Sequence, residues 1–537
     1  MNNERIGHIL LKQGLIKLQQ LDFCLNVQKN NGQQKLGKLL CHYDFTDEFS
    51  IIKAIAQQVG WKIFEGPYVA DEDMVNLLGI DFLHQKIVFP VKTKQGTIFV
   101  LSKTDDTQTT DEINRKLDQS ATFYVGLESS LRKALDKLSE DNDQAQQRPQ
   151  VLSMKDNLNE WLKDCLNKAI VQGASDIHIE PSEKVVEVRF RIDGILEFYE
   201  ALPSKCLSRL VNIIFHQAEV TISDFNHFHD ARFLYQQFDR QVDVRVSHIP
   251  SVHGSALVLR LLDKGKAAMA LSDLGYGPRP WKLIQQGLAK PDGITLIVGP
   301  TGCGKTTTLY AVLNHLKSLD CKILTIEDPV EIKLPLMTQV QVNDKRGINF
   351  SSSVRAFLRH DPDIILIGEI RDELTAQEAL RAAMTGHQVF ATLHTNRAFD
   401  AFLRLHDLGL PFSHMADHLS MVISQRLVRK LCPACKQSKK VNRRSLGENQ
   451  VKYLDEIEQE VFTATGCDVC RNGFLEQTVV AEVLIIDEAI SELIARGDLV
   501  SLKKFIKENG QPTFADDARR LVTQGVTSLE EVVRALG

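Results

Sequence analysis

The clearest chemistry in the sequence lies in a glycine-rich segment that fits G-x-x-x-x-G-K-[ST], the pattern of a phosphate-binding loop. Its residues are Gly299, Pro300, Thr301, Gly302, Cys303, Gly304, Lys305 and Thr306, with Thr307 next. Glycines let the backbone wrap closely around phosphates. We expect Lys305 to reach the β- and γ-phosphates of ATP and Thr306 to hold Mg²⁺. Cys303 is either a redox-sensitive thiol or a small filler, and the second is favoured.

The residues around this loop predict the elements that position it. Residues 294–298 are typical of a buried strand, and the residues after the loop are typical of a helix. Glu369 follows a second apolar run, with Gly368 at the expected Walker B aspartate position. Glu327 and His394 end two further runs. The carboxyl ends of parallel strands meet at one sheet edge, so these groups are predicted to lie beside the loop.

Glu369 is predicted to orient or deprotonate the attacking water. Taken alone, His394 is equally explained as an internally satisfied polar group.

Four of the ten cysteines form two CxxC pairs, Cys432 with Cys435 and Cys467 with Cys470. Two such pairs in one chain predict a structural, tetrahedral Zn²⁺ site. A redox-active pair is the alternative for one CxxC, but it does not explain two.

Composition and charge limit the class of protein. The 537 residues correspond to three or four domains of about 150 residues. The net charge of -5 argues against a non-specific nucleic-acid binder. The N-terminus lacks the pattern of a secretory signal, and no apolar run reaches the roughly 20 residues of a membrane helix. We therefore expect a cytoplasmic protein.

Periodicity predicts an α/β multidomain protein. A helical repeat and a mixed α/β unit occupy residues 1–138, and a polar linker follows at 139–153. Helices mix with alternating strands in residues 154–264. Strands then alternate with helices over 265–537, as in a parallel sheet, with the cysteine module at about 430–475. The repeat consists of residues 5–28 and 35–58, which a duplicated helical hairpin explains.

The order of these motifs carries a family resemblance. The segments GPTGCGKTTTLY, TIEDPVE, IGEIRD and TGHQVFATLHTN resemble the Walker A loop, Asp box, atypical Walker B motif and His box of the bacterial secretion ATPases of the GspE/PilB family. SDIHIEP, VRFRIDG and DVRVSHIPSVHGSALVLRLLD resemble the second N-terminal domain of that family. The resemblance implies a RecA-like P-loop motor domain, a PAS-like second N-terminal domain and a small four-cysteine zinc module.

The resemblance also implies roles and partners. Arg245 and Arg260 would reach the phosphates from the second domain, and Glu327, Glu369 and His394 would complete the catalytic set. The family implies a homo-hexamer that uses ATP, Mg²⁺ and structural Zn²⁺, peripheral at the cytoplasmic face of the inner membrane. Its partners would be a platform protein of the GspF/PilC type and a recruiting protein of the GspL or PilM type, and no nucleic acid is expected.

The N-terminal repeat resembles the MshEN domain, which in some relatives binds cyclic di-GMP. The residues carried over for that ligand are Arg5, Gly7, Gly14, Gln28, Lys35, Gly37 and Gln58. Lys35 stands where arginine is usual and lacks its planar fork. Asp44 stands where glycine is usual and would repel a phosphate. A plain docking role is the alternative for this domain.

Three functional classes remain to be compared. The first is an ATP-driven motor that assembles a type IV pilus or a type II secretion pseudopilus. The second is a nucleic-acid translocase, which the acidic net charge and the Asp-box and His-box matches disfavour. The third is a non-hydrolysing nucleotide sensor, which the intact Lys305, Thr306, Glu369 and His394 disfavour. The sequence does not choose between pilus assembly and secretion.

Overall fold

The computed structural model divides the chain into two compact units, Met1–Asp156 and Asn157–Gly537. The described residues are 6–30, 34–93, 96–104, 106–117, 120–135, 138, 158–220, 225–237, 240–263, 269–455, 458–509 and 511–537. The predicted linker at 139–153 lies outside these ranges, and so does Arg5. Within them, none of the helices combines the length and the apolar character that crossing a bilayer requires.

The N-terminal unit begins with two helical hairpins that repeat one packing pattern. Their helices span Ile6–Lys12, Leu18–Asn30, Leu36–His42 and Glu48–Val59. A Cβ on Gly7 would lie 2.8 Å from the side chain of Leu21. Its counterpart Gly37 would meet Ile51 in the same way, at 2.9 Å. Both hairpins therefore pack an aliphatic side chain closely against a glycine at the helix crossing, as expected of a duplicated unit.

A four-stranded sheet follows in the same unit. Its strands lie in the order β1-β4-β3-β2, and they are β1 Lys62–Ile63, β2 Val88–Thr93, β3 Gly96–Leu101 and β4 Thr122–Val125. The helices among these strands span Glu72–Leu78, Ile80–Lys86 and Thr107–Leu117.

The second unit begins with a six-stranded antiparallel sheet in the order β7-β6-β5-β10-β9-β8. The strands are β5 Asp176–Pro181, β6 Val185–Ile192, β7 Ile195–Pro203, β8 His229–Gln237, β9 Arg240–Ser251 and β10 Gly254–Asp263. Helices Leu158–Val171 and Leu207–Gln217 pack on the alternating apolar side chains of the strands in one core cluster. An antiparallel sheet covered by helices is the arrangement that a PAS-like domain requires.

A seven-stranded sheet forms the motor domain, in the order β13-β12-β14-β15-β11-β16-β19. Its strands are β11 Gly293–Val298, β12 Ile323–Glu327, β13 Met337–Gln341, β14 Ile364–Ile367, β15 Gln388–Leu393, β16 Leu419–Leu431 and β19 Phe474–Ile485. The pairs are parallel except for β16 with β19. Every residue of β11, β12, β14 and β15 is buried, which explains why apolar residues predominate on both faces of these strands.

Helices surround this sheet, and a hairpin interrupts it between β16 and β19. The main helices span Pro278–Leu288, Lys305–Leu316, Phe350–Phe357, Glu373–Met384, Asp400–Asp407, Phe412–His418, Glu448–Val451, Glu488–Ala495, Leu499–Glu508, Phe514–Thr523 and Leu529–Leu536. The hairpin pairs β17 Gln437–Asn442 with β18 Glu458–Thr463. The cysteine pairs flank this hairpin in sequence.

Candidate nucleotide site and metal centre

The phosphate-binding loop has a backbone conformation that favours glycine. The φ values of Gly299, Gly302 and Gly304 are 151°, 78° and 87°, and residues other than glycine rarely adopt such values. A Cβ on Gly299 would lie 2.9 Å from the backbone oxygen of Gln425. The other predicted loop residues lie in the same turn or in the first helical turn: Pro300, Thr301, Cys303, Lys305, Thr306 and Thr307. A close-fitting backbone at a helix N-terminus suits the phosphates of a nucleotide.

Lys305 is folded into this loop. Its Nζ donates hydrogen bonds to the carbonyl oxygens of Gly299 at 2.8 Å and Pro300 at 3.1 Å. Burial lowers the pKa of Lys305, while Cys303 and Glu369 act in the opposite direction, so Glu369 lies within electrostatic reach of the loop. Burial also raises the pKa of the Cys303 thiol, which disfavours the redox-sensitive alternative.

Glu369 and His394, two of the predicted site residues, lie together. They follow β14 and β15, which are neighbours in the sheet. Glu369 Oε1 is 3.2 Å from His394 Nε2, and Glu369 Oε2 accepts a hydrogen bond from Arg371 Nε at 2.7 Å. Arg371 lies 3.6 Å from Asp328 of the Asp box. Sequence reasoning missed Arg371, although it stands two residues after Glu369 in the quoted motif.

Gly368 stands at the Walker B aspartate position because neighbouring backbone leaves little room for a side chain. A Cβ there would lie 3.1 Å from the oxygen of Ile326 and 3.3 Å from Cα of Glu327. On the other side, Thr392 Oγ1 donates a hydrogen bond to the carbonyl oxygen of Gly368 at 2.6 Å. The backbone is thus held between β12 and β15, which fixes the direction in which Glu369 leaves the strand.

Glu327 lies inside the core and is only 4% exposed. Its carboxylate accepts hydrogen bonds from the hydroxyls of Tyr310 and Thr325, and from Gln339 Nε2 at 3.1 Å. These donors engage both carboxylate oxygens. Through Tyr310, Glu327 therefore joins the Asp-box strand to the helix that follows the loop.

Arg245 and Arg260 are cross-strand partners in the second domain, and Arg232 faces Arg245 from the other side. Directly opposed residues share one face of a sheet. Burial raises the pKa of Glu331, and Arg245 and Arg260 oppose that shift, so both arginines lie within electrostatic reach of this carboxylate. Arg260 Nε also donates a hydrogen bond to Asp176 at 3.0 Å. Glu331, the final glutamate of the Asp box, thus lies near the arginines.

The four cysteines of the CxxC pairs converge, with all Sγ atoms within 4.8 Å of one another. The Sγ–Sγ distances are 3.9 Å for Cys432 and Cys467, and 3.6 Å for Cys435 and Cys470. Tetrahedral Zn²⁺ with bonds of about 2.3 Å requires sulfur atoms about 3.8 Å apart. The geometry therefore fits a zinc ion held by these four thiolates.

The N-terminal candidates for cyclic di-GMP lie in and around the helical hairpins. Gly14 has φ 69° and its counterpart Asp44 has φ 53°. Asp44 therefore keeps the turn while adding a carboxylate. Gln28 Nε2 donates to a backbone carbonyl at 2.8 Å. Lys35 stands just before the third helix, and Gln58 lies near the end of the fourth.

Comparison with known proteins gives consistent matches. The family model for the type II/IV secretion system protein matches residues 153–534. The type II secretion system ATPase E of Vibrio cholerae is 39% identical over 437 residues, which cover 79% of this chain and 85% of that one. The type IV pilus assembly ATPase PilB of Myxococcus xanthus is 31% identical over 559 residues and 98% of both chains. The solved structure of the Legionella pneumophila ATPase DotB is similar in fold, with a TM-score of 0.52 at 21% identity over 70% of this chain and 94% of that one.

The seven-stranded sheet and the likeness to DotB define a RecA-like fold, and this fold carries a phosphate-binding loop. The family match and the full-length similarity to PilB extend this assignment to the domains around it. The chain belongs to the type II/IV secretion system protein family, the GspE/PilB family of secretion and pilus-assembly ATPases.

Proposed function

We propose that the chain hydrolyses ATP at this loop to drive a protein-assembly motor. The observation that carries the proposal is the contact between Glu369 and His394, since Glu369 also lies within electrostatic reach of Lys305. Lys305 would bind the β- and γ-phosphates, and Glu369 would orient or deprotonate the attacking water while His394 holds its carboxylate. Thr306 would hold Mg²⁺, which neutralises phosphate charge when bound.

The second domain would complete the site. Arg245 and Arg260 would neutralise charge on the transferred phosphoryl group when this domain closes on the motor domain. Glu331 would attract those arginines towards the loop, and Glu327 would hold the Asp-box strand against the loop helix. The division into domains at 1–138, 154–264 and 265–537 is part of the same proposal.

The machine served would be a type IV pilus or a type II secretion pseudopilus. Similarity to named relatives of both kinds supports this range, since the V. cholerae secretion ATPase is 39% identical over 437 residues and the Acinetobacter baylyi PilB is 39% identical over 378 residues. The motor would be a homo-hexamer at the cytoplasmic face of the inner membrane. It would act on a platform protein of the GspF/PilC type and be recruited by a protein of the GspL or PilM type.

Phosphate release by the purified protein tests this proposal. We expect Mg²⁺-dependent ATP turnover that increases with the cytoplasmic domain of the platform protein, and loss of turnover in Lys305→Ala. A non-hydrolysing sensor would bind ATP without releasing phosphate. Stimulation by single-stranded DNA but not by the platform protein would contradict the assembly motor and support a translocase.

For the N-terminal repeat we propose a docking role in place of cyclic di-GMP binding. Asp44 places a carboxylate in the turn where its repeat partner Gly14 has none, and Lys35 lacks the fork with which arginine stacks on a base and binds phosphate. Calorimetric titration of the full chain with cyclic di-GMP should show no saturable heat. Stoichiometric binding would contradict the docking-only role.

A further inference from the structure

A buried glutamine contacts the phosphate-binding loop from the neighbouring strand. Gln425 lies on β16, which pairs with β11, and it is fully buried. Its Nε2 donates a hydrogen bond to the backbone oxygen of Cys303 at 2.8 Å. Its Oε1 accepts hydrogen bonds from the hydroxyls of Tyr276 at 2.8 Å and Thr308 at 3.0 Å. One side-chain amide therefore joins the loop, the helix after it and the segment just before the helix Pro278–Leu288.

Gln425 lies close to both ends of the loop, through its backbone at one end and its side chain at the other. A Cβ on Gly304 would lie 3.3 Å from Gln425 Nε2, and one on Gly299 would lie 2.9 Å from the Gln425 backbone oxygen. That oxygen also accepts a hydrogen bond from Arg426 Nη1 at 2.9 Å. Arg426 Nη2 donates to the backbone oxygen of Asn396, also at 2.9 Å. Gln425 thus lies against the start and the end of the loop, and Arg426 lies against its start.

We propose that Gln425 is a positioning residue for nucleotide binding, an inference that rests on the proposed function of the loop. The side-chain N–H of Gln425 fixes the carbonyl group of Cys303. It thereby fixes the direction in which the next backbone N–H groups of the loop point, which is towards the phosphates. Its oxygen is fixed in turn by Tyr276 and Thr308. The site needs a donor and an acceptor in one neutral side chain. A carboxylate would oppose the Cys303 oxygen without a proton to donate, and a buried polar group left unpaired is costly.

The variant Gln425→Glu tests this role because protonation can restore what the substitution removes. Burial raises the pKa of a carboxyl group, and a protonated glutamic acid offers one donor and one acceptor, as glutamine does. We expect the Kd of the full chain for a fluorescent ADP analogue to rise about 10-fold near pH 8, a cost of about 1.4 kcal/mol. The ratio of variant to wild-type Kd should fall at least about threefold by pH 6.

Two further variants separate positioning from general loss of packing. Gln425→Leu keeps the bulk but has neither donor nor acceptor, so its Kd should rise about 10-fold at both pH values with no recovery in acid. Ser420→Ala is the matched control. Ser420 is a buried polar residue of β16 whose hydroxyl donates a hydrogen bond to the backbone oxygen of Asp292, away from the loop. Its Kd should match that of the wild type.

The outcomes also distinguish this inference from the proposed function. A wild-type chain that binds no nucleotide would overturn the function of the loop itself. If the wild-type chain binds ADP, and Gln425→Glu and Gln425→Leu bind it as tightly as the wild type at every pH, only the positioning role is overturned. The positioning role is also overturned if the Kd of Gln425→Glu is raised but does not recover in acid. A protonated glutamic acid should again donate the hydrogen bond to the Cys303 oxygen, so its affinity should recover.

Discussion

Replacing Glu531 by glutamine should destabilise the motor domain at the place where its last helix meets β16. The Glu531 side chain is 0% exposed. Its carboxylate accepts hydrogen bonds from Arg429, through the backbone N at 3.0 Å and Nη2 at 2.7 Å. Arg534 donates through Nε at 2.8 Å and Nη2 at 2.6 Å. One buried carboxylate therefore pairs with two guanidinium groups.

Removing the charge of Glu531 leaves those two guanidinium groups without a counter-charge. The loss of one partner from a buried ion pair costs about 3–5 kcal/mol. Glutamine keeps part of the hydrogen bonding, so we expect about 3 kcal/mol, which corresponds to a fall in Tm of roughly 5–10 °C. Differential scanning fluorimetry measures it. Glu530→Gln is the matched control, since Glu530 is exposed and adjacent.

The pH dependence gives a second check on Glu531. Burial opposes its ionisation, but the hydrogen bonds from Arg534 and Arg429 outweigh burial, so its pKa lies below the ordinary value. A lowered folded-state pKa contributes stability that is fully present above the unfolded-state pKa of about 4.3 and is lost as pH falls through the folded-state pKa. The Tm difference between wild type and Glu531→Gln should therefore be full at neutral pH and shrink in acid below about pH 4. A variant that melts within about 1 °C of wild type at pH 7 would refute the reasoning.

Three further predictions concern the sites themselves. Cys467→Ser should remove the single zinc per chain that metal analysis of the wild type should find, because three thiolates bind Zn²⁺ less tightly than four; a zinc-free wild type would contradict the site. Arg245→Ala should lower kcat at least about 10-fold, since a charge on the transferred group loses its partner, and an unchanged kcat in phosphate release would exclude that role. Gly368→Ala should lower turnover by a similar factor, because the added Cβ would lie 3.1 Å from the Ile326 oxygen and displace the end of the strand. Wild-type turnover in this variant would show that the strand end accommodates a methyl group.

The sequence predicted the parts of this protein that depend on local pattern. The run at 364–367 appears as β14, and the run at 294–298 is β11 with one residue added. Such strands are easily recognised in the sequence because both faces of a parallel sheet are buried, so the strands are rich in apolar residues. The two CxxC pairs likewise converge as predicted: each short loop places two sulfur atoms together, and the antiparallel pairing of β16 with β19 brings the two loops to one place.

What the sequence could not supply depends on contacts between distant segments. Glu327 and Glu331 stand four residues apart in one motif, and both contact Tyr310: its hydroxyl donates to the Glu327 carboxylate and accepts from the Glu331 backbone N–H. Arg245 and Arg260 lie within electrostatic reach of the Glu331 carboxylate. Gln425 lies 122 positions after the Cys303 whose carbonyl it holds. No periodicity connects residues so far apart, because the order of strands in the sheet brings them together.

The central claim is that Glu369 makes this loop hydrolyse the nucleotide that it binds. In Glu369→Gln, the amide oxygen can still accept from Arg371 while the charge is lost. We expect phosphate release to fall by about 10²-fold or more, with ADP affinity retained or slightly increased because a negative charge near the phosphates is removed. Glu373→Gln, an exposed carboxylate four residues on, should keep wild-type turnover. Phosphate release by Glu369→Gln at the wild-type rate would contradict the account.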